Sequence, residues 1–373
     1  MFWLSLYLYV PILPLQAERV GSSLSMVGLI IASYAIAQIA LRIPIGVSAD
    51  IVGRRKPFAV AALALSTIGA IGLALAPDPW TLFAARAVTG IAAAGWVAIT
   101  VLYASYFTPE RSGQAMARIM SINTVALVLA SLAGGLISDR FGPEATFYAG
   151  AAAGVAGVLL LSRAKEPRSE IRQSYTRGRF FEVARTPLLL VVGGIGILVQ
   201  FVTFAGSFGF IPLYAHRIGA SDAEVGYVLS VMLVAALAGT LISTYLVARL
   251  GHRAAIMIGS IIIAASMAIV PSVEAVGILA LSQAVGGFGR GLVNTVLIGL
   301  SLRAVAPAQR ATAMGIYQAI YAIGMMSGPL VGGLVADTSG LDTVFYMVAI
   351  VSIAAGLLGF ARPVPGRPSP AQN

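Results

Sequence analysis

The sequence predicts an all-α, polytopic membrane protein built from two pseudo-symmetric six-helix bundles, and three observations lead to this prediction. The first is composition: 58% of the 373 residues are apolar and only 10% are charged, and the mean hydropathy is +0.92. A soluble globular protein has roughly 25% charged residues, so most of the outer surface of this chain must face lipid. The second observation is a series of long apolar runs, and the third is an internal repeat.

Twelve apolar runs follow one another along the chain, and a helix needs about 20 apolar residues to cross the hydrocarbon of a bilayer. We number them in chain order as spans one to twelve, and they cover residues 1–16, 23–50, 57–76, 79–104, 113–138, 143–162, 187–213, 221–248, 253–271, 274–303, 310–337 and 342–361. Proline and glycine inside these runs are compatible with membrane helices, because neighbouring helices satisfy the freed backbone groups.

The basic residues predict the orientation of the chain. Of the 24 Lys and Arg, 18 fall in the segments that share a side with both termini, and only Arg19, Arg140 and Arg217 fall in the opposite loops. An excess of Lys and Arg marks the cytoplasmic side of a membrane protein. We therefore expect both termini in the cytoplasm and an integral, multi-pass location in the plasma (inner) membrane.

The second half of the chain repeats the first at an offset of 198 residues. The matched pairs include Pro14 with Pro212, Arg19 with Arg217, Gly53 with Gly251, Gly134 with Gly332 and Asp139 with Asp337. Because one offset serves nearly the whole half, we expect two bundles, at residues 1–162 and 187–362. A basic cytoplasmic linker at 163–186 and a cytoplasmic tail at 363–373 complete the predicted organisation.

The repeat also predicts that the first span is shorter than its counterpart. Span seven begins near Pro187, and this position corresponds to a point about twelve residues before Met1. Span one therefore lacks roughly the first half of its twin. We expect the natural start to lie upstream of Met1, or the chain to be truncated there.

Charge and residue content exclude several classes of function. The net charge of +10 comes from residues in short loops between apolar runs, so it indicates the cytoplasmic side of a membrane rather than a nucleic-acid partner. The chain has no Cys, which excludes disulfides and thiol catalysis. The two His, His216 and His252, fall in predicted loops, and no pair of acids lies deep in a span. We therefore expect no metal site, no cofactor and no membrane enzyme.

A buried arginine is the most informative single residue. Arg290 lies between Gly289 and Gly291 near the middle of span ten, and no Asp or Glu lies at that depth in any span. A charge at mid-membrane costs at least ~2.5 kcal/mol, so it usually faces a cavity or a partner. One hypothesis is that Arg290 attracts an anionic or strongly polar group of a substrate. The alternative is that carbonyl groups and water satisfy it within its bundle.

Two motifs carry a resemblance to a known family. The loop between spans two and three contains Gly46, Asp50, Gly53, Arg54 and Arg55 in the sequence GVSADIVGRRK. Span four contains Arg86, Gly90 and Gly95 in RAVTGIAAAG. The first is similar to the loop motif G-x-x-x-D-x-x-G-R-R of the major facilitator superfamily and the second to another motif of that family. The resemblance covers the whole chain and implies secondary transport by alternating access, around a central cavity lined by spans one, four, seven and ten.

The resemblance also implies which residues meet the substrate. Polar and aromatic candidates on the cavity-lining spans are Tyr7, Tyr9, Trp96, Gln200, Thr203, Ser207 and Asn294, together with Asn123 on span five and Tyr321 on span eleven. Trp96 and Asn294 are related by the offset of 198, as are Asn123 and Tyr321. For each residue alone, helix packing is the alternative role.

Two further roles follow from the motifs. Asp50 and Arg54 are candidates for a latch that is made and broken during transport, since a carboxylate at a helix end can accept hydrogen bonds from a neighbouring helix start. The alternative is a tight cytoplasmic turn, in which Arg55 is only one of the basic residues that are generally in excess on the cytoplasmic side. Arg86 either supports coupling or organises helix packing, and it cannot itself carry protons because it stays charged.

The function implied is a permease-like secondary active transporter of a small organic solute. Efflux is favoured over uptake because the sequence resembles exporter-like members more than sugar-uptake members, and we expect an antiporter coupled to H⁺ that works as a monomer. Two alternatives are uptake of an organic anion, suggested by Arg290, and a membrane sensor that does not transport.

Overall fold

The computed structural model describes residues 1–108, 111–166, 182–306 and 309–361, and within these ranges it is helical, with no strand. The helices of the first half are Phe2–Tyr7, Leu13–Arg19, Leu24–Val52, Lys56–Ala74, Pro79–Ala94, Trp96–Ala104, Ser112–Phe141 and Pro143–Arg163. The second half contains Pro187–Val202, a π-helix at Thr203–Phe210, Ile211–Arg217, Asp222–Ala268, a 3₁₀-helix at Val270–Ser272, Val276–Arg303, Arg310–Ser339 and Leu341–Ala361. Most of the predicted linker and the whole predicted tail lie outside the described residues.

Ten helical stretches are long and apolar enough to cross a membrane, and two features account for the difference from the twelve predicted spans. Spans eight and nine are one continuous stretch, Asp222–Ser272, but its backbone is not helical at Gly251, with φ 83° and ψ 168°. Span one is broken between Tyr7 and Leu13 into two helices of six and seven residues, which are too short to be recognised as a span. The twelve predicted spans therefore all have a helical counterpart.

Six glycines in the described residues have a positive φ, and they form three pairs at the repeat offset. Gly21 pairs with Gly219, Gly53 with Gly251, and Gly142 with Gly340, with φ values of 84° and 89°, 67° and 83°, and 87° and 87° respectively. Only glycine adopts this left-handed region without a steric cost. The repeat is therefore present in the backbone of the turns as well as in the sequence.

The chain divides into two compact units, Met1–Ser174 with Ala220–Ser230, and Tyr175–Gly219 with Val231–Asn373. In the first unit, Gly90 of span four packs so closely on the backbone of Tyr34 in span two that a Cβ would overlap its carbonyl oxygen. In the second unit, Gly324 of span eleven packs in the same way on Ile197 of span seven. Small residues thus let the helix backbones approach each other, as in other membrane bundles.

Both histidines lie in helices rather than in the loops expected from the sequence. His216 belongs to Ile211–Arg217, and His252 directly follows the break at Gly251. No group of three or more potential metal ligands occurs among the residues that the structure describes.

Candidate substrate site and its buried arginines

Arg290 is buried inside the second unit, with 5% of its surface exposed. Its Nη2 donates a hydrogen bond to Ser207 Oγ at 2.6 Å, and its Nη1 lies 3.1 Å from the sulfur of Met232. Ser207 Oγ in turn donates to Gln283 Oε1 at 3.3 Å. The Nε of Arg290 has no hydrogen-bond partner. Within the described residues Arg290 makes no salt bridge, so its charge is held by neutral groups alone.

Ser207 lies in the π-helical stretch Thr203–Phe210, which interrupts span seven and is buried along its whole length. π-Helical turns are rare and frequently mark functional sites. The equivalent stretch of the first repeat is also irregular, because the helix ends at Tyr7 and resumes only at Leu13. Both repeats therefore break the helix at the same place, and Ser207 is the counterpart of Tyr9 at the offset of 198.

Arg86 is the buried arginine of the first unit, also 5% exposed. Its guanidinium carbon lies 4.4 Å from the ring centroid of Tyr34 and 5.9 Å from that of Tyr9. Its Nη1 donates to Thr89 Oγ1 at 3.3 Å, and its Nε has no hydrogen-bond partner. The aromatic faces provide a cation–π environment, which compensates part of the cost of burying this charge.

An aromatic cluster surrounds Trp96, another predicted site residue. The Trp96 ring stacks on Phe2 with centroids 5.8 Å apart and meets Trp3 edge-on at 5.1 Å. Tyr7 joins the cluster through Trp3, at 5.5 Å. Trp96 and Asn123 line one cavity of about 360 Å³ in the first unit. Trp3 Nε1 and Asn123 Oδ1 are both buried there without a hydrogen-bond partner.

One wall of this cavity corresponds to a surface of the second unit that is covered by another helix. Ile122 and Asn123 line the cavity, and the offset of 198 relates them to Ile320 and Tyr321. In the second unit, these two residues contact the first half of span seven, at Gly193 and Gly196 respectively. The cavity therefore lies where the repeat places the first half of span one.

The remaining predicted residues make other contacts than those of the two buried arginines. Thr203 is buried but donates to the carbonyl of Val199 at 2.8 Å, so its hydroxyl is satisfied by its own helix. Gln200 and Asn294 are half-buried. Tyr321 contacts Tyr317 edge-on, with ring centroids 5.2 Å apart. The structure thus brings Tyr7, Trp96 and Asn123 together in the first unit, and Arg290 and Ser207 together in the second.

Sequence reasoning missed Met232, which contacts Arg290, and Gln283, which accepts a hydrogen bond from Ser207. Gln283 precedes Arg290 by seven residues on the same helix, and this spacing of two turns places both side chains on one face. The signal was therefore available. Met232 belongs to span eight, and no local pattern points to it.

The loop motif is held by an acid that the sequence analysis did not single out. Glu166, after the end of span six, accepts hydrogen bonds from the backbone N–H groups of Arg55 and Lys56, the second at 3.1 Å. Lys56 Nζ donates to the carbonyl groups of Ser162 and Ala164 at 2.7 and 2.6 Å. A carboxylate at the start of the helix Lys56–Ala74 stabilises its positive end.

The other residues of the predicted latch are only partly described. Gly53 closes span two in the left-handed conformation, and Arg54 is exposed. Gly46 lies within the helix Leu24–Val52, where a Cβ would only touch Val97. The side chain of Asp50 lies outside the described part of the structure.

A second cluster absent from the sequence predictions surrounds Asp222. This carboxylate is 8% exposed, and it is the buried acid among the side chains that the structure describes. Ser138 Oγ donates to it at 2.5 Å, and Arg19 Nη2 lies 3.4 Å from it. Gly135 and Gly226 meet beside it with their Cα atoms in close approach. Span eight thus begins with a polar contact inside the first unit.

Comparison with known proteins identifies relatives along the whole chain. A family model described as Major Facilitator Superfamily matches residues 1–217 and 193–373. The uncharacterized MFS-type transporter MJ1560 of Methanocaldococcus jannaschii is 23% identical over 94% of this chain and 92% of its own length. Multidrug resistance protein MdtG of Serratia proteamaculans is 26% identical over 92% of this chain and 86% of its own length.

A solved structure has the same fold. The bacterial homologue of the human lysosomal transporter Spinster, in its inward-facing and occupied conformation, superposes with a TM-score of 0.81. The match covers 96% of this chain and 93% of that one, at 17% identity. At this identity the likeness concerns the fold alone, and it is the fold of two six-helix halves expected from the repeat.

Proposed function

Because the chain belongs to the major facilitator superfamily, we propose that it exports a small organic solute from the cell by alternating access. It is a multi-pass protein of the inner membrane and a transporter rather than an enzyme. The observation that carries alternating access is the repeat, which recurs in the sequence, in the three pairs of turn glycines and in the broken helices of spans one and seven. Transporters built from such halves rock them around a site near the middle of the membrane.

Export is the direction favoured by the relatives. MdtG is named as a multidrug resistance protein and covers nearly the whole chain, which supports efflux here without identifying the solute. The residues proposed to contact the solute are, for each unit by itself, Arg290 and Ser207 in the second unit and Tyr7, Trp96 and Asn123 in the first. Four further side chains contact the solute in only part of the transport cycle: Gln200, Thr203, Asn294 and Tyr321.

The driving ion is H⁺, and the loop motif is the latch of the cycle. Asp50 and Arg54 make a contact that is broken when the protein changes conformation, while Glu166 keeps the turn at Arg55 and Lys56 in one shape. Asp222 is a buried carboxylate with Arg19 and Ser138 as its neighbours. Arg86 supports coupling through its position beside Tyr9 and Tyr34.

Proton-coupled flux in proteoliposomes tests this proposal. The purified protein is reconstituted into liposomes that enclose a pH-sensitive dye and have an acidic lumen. Chloramphenicol, ethidium, uridine and benzoate are then added outside, one at a time. Proton antiport predicts that a transported solute raises the luminal pH faster than in protein-free liposomes. Collapse of the gradient with nigericin abolishes the accumulation of the solute.

Matched variants separate the latch from the general effect of removing an acid. We expect Asp50→Asn to lose flux and Asp139→Asn, at the exposed outer end of span five, to keep it. A rate of solute entry that is the same with and without the pH gradient contradicts proton coupling. Folded protein without flux for any of the four solutes supports the alternative of a membrane sensor.

A second candidate function is uptake of an organic anion, and the uncompensated charge of Arg290 favours it. In the same liposomes, cotransport of an anion with H⁺ acidifies the lumen instead of raising its pH. The sign of the pH change therefore distinguishes the two candidates.

A further inference from the structure

Arg290 is a buried cation for which the described part of the chain provides no counter-ion. The guanidinium is 5% exposed, its hydrogen-bond partners are a hydroxyl and a thioether sulfur, and its Nε–H is unused. A buried ion without a partner is costly, and removing this cost is a strong driving force for binding an ion of opposite sign.

Arg86 shows that the two buried arginines are not equivalent. Its guanidinium is placed over Tyr34 and near Tyr9, and aromatic faces stabilise a cation in a dry environment. Among the residues that the structure describes, no aromatic ring makes such a contact with Arg290. Arg290 is therefore the arginine with the larger unmet demand for negative charge.

The geometry around Arg290 is rigid enough to form a site. Gly289 packs on the carbonyl of Gly259, and Gly291 packs on the carbonyl of Ala236 with no room for a Cβ. The helix that carries Arg290 is therefore fixed against spans eight and nine. The bond to Ser207 orients the guanidinium, and Gln283 orients Ser207. The unused Nε–H and a neighbouring Nη–H form the edge that binds a carboxylate with two parallel hydrogen bonds.

Two aromatic side chains share the π-helix with Ser207. Phe204 and Phe208 flank Ser207 on the π-helix, both 9% exposed, with ring centroids 5.4 Å apart. Binding sites for organic molecules combine such apolar walls with a few placed polar groups. An apolar body attached to the anionic group would bury its surface here.

We propose that Arg290, oriented by Ser207 and Gln283, is the binding site for the carboxylate of an organic anion with an apolar body. This inference rests on the proposed transport function and names the substrate class of that site. The carboxylate takes two hydrogen bonds from the guanidinium edge, and the apolar body packs by the phenylalanines of span seven. Neutral and cationic analogues of the same shape leave the charge of Arg290 uncompensated and bind more weakly.

Ligand-dependent thermal stability of the purified full-length protein tests the proposal. The probes are benzoate, its neutral analogue benzamide and the cation benzylammonium, at matched ionic strength. We expect benzoate to raise the melting temperature and the other two to leave it unchanged. The dissociation constant for benzoate should rise at least about tenfold in Arg290→Gln, the usual effect of losing a charged hydrogen-bond pair. Arg290→Lys keeps the charge without the planar edge and should fall between the two.

Arg249→Gln is the matched control, because Arg249 is an exposed arginine of the same unit that lies 4.9 Å from the ring of Tyr245. It should bind benzoate like the wild type. Equal stabilisation of wild type and Arg290→Gln by benzoate overturns the proposal, and so does stabilisation by benzamide or benzylammonium to the same extent. A wild type that benzoate does not stabilise also overturns it. In each of these cases the flux assay can still show transport of the other solutes, so this failure is distinct from failure of the proposed function.

Discussion

Tyr9 and Ser207 occupy equivalent positions of the repeat, and each lies beside a buried arginine of its own unit. Arg86 approaches Tyr9 to 5.9 Å between the guanidinium and the ring, and Arg290 donates to Ser207 at 2.6 Å. The arginines themselves are not related by the offset, since position 86 corresponds to Ala284. Each unit thus has a buried arginine beside the irregular stretch of its first span, which is span one in the first unit and span seven in the second. The two arginines occupy different positions of the repeat.

The contact between Arg86 and Tyr34 should be measurable as a coupling energy. In a double-mutant cycle of Arg86→Gln and Tyr34→Leu, we expect a coupling of about 1 kcal/mol, because the guanidinium lies 4.4 Å from the ring centroid in a buried site. The measurement is unfolding in mixed detergent micelles. The pair of Arg86 with Trp80, which is 66% exposed, serves as the uncoupled comparison. Additive effects of Arg86→Gln and Tyr34→Leu would show that the ring does not stabilise the charge.

We expect that adding a single carbon at Gly291 destabilises the protein. A Cβ at this position overlaps the backbone of Ala236, so Gly291→Ala should lower the free energy of unfolding by roughly 1–3 kcal/mol. Gly299→Ala on the same helix is the matched control, because a Cβ there meets nothing within 4 Å. It should be neutral or stabilising by up to about 1 kcal/mol. Equal effects of the two substitutions would contradict the close packing of spans eight and ten.

Removing the charge of Glu166 should loosen the loop between spans two and three. Glu166→Gln replaces a carboxylate that accepts from the backbone N–H groups of Arg55 and Lys56, and we expect a loss of about 0.3–1 kcal/mol. Hydrogen exchange of the amides at Arg55 and Lys56 should become faster. Glu144→Gln, in the first turn of the helix Pro143–Arg163, controls for the loss of an acid at a helix start. Unchanged exchange at the loop would show that Glu166 does not hold it.

An apolar helix placed ahead of Met1 should fill the cavity beside Trp96. We expect a fusion carrying a copy of residues 187–198 before Met1 to raise the melting temperature. The reason is that the counterparts of Ile122 and Asn123 already pack on this stretch in the second unit. Trp3 and Trp96 should shift to shorter emission wavelengths as the cavity becomes drier. A fusion of equal length made of Gly and Ser is the control. The same melting temperature for both fusions would refute the symmetry argument.

Much of the fold follows from the sequence, because its signals are local or repetitive. The apolar runs predict the spans by length. The offset of 198 pairs Gly53 with Gly251, and both have a positive φ, 67° and 83°, although their ψ values of 14° and 168° make the two turns different. The ten helical stretches that are long and apolar enough to cross a membrane differ from the twelve predicted spans only at the glycine break of spans eight and nine and at the two short helices of span one. The family and the transport function follow from the motifs for the same reason.

The site is less predictable, because its contacts join distant parts of the chain. Nothing local indicates that Met232 faces Arg290, or that Glu166 reaches back to Arg55 across the intervening spans. The π-helix at Thr203–Phe210 is buried along its whole length, and no sequence pattern predicted it. Asp222 is an acid in the first turn of its helix, and its contact with Ser138, far away in the sequence, is visible only in the structure.

The arginine in the middle of Val276–Arg303 has a consequence for how the protein is made. This helix is the least apolar of the ten candidate spans, and the central arginine adds further cost to its entry into lipid from the translocon. Its polar contacts, Ser207 and Met232, lie on spans seven and eight and are synthesised earlier. Insertion of span ten therefore requires that spans seven and eight still lie beside the translocon when span ten leaves it. Biogenesis of the second half is then a cooperative assembly and not the successive release of independent helices.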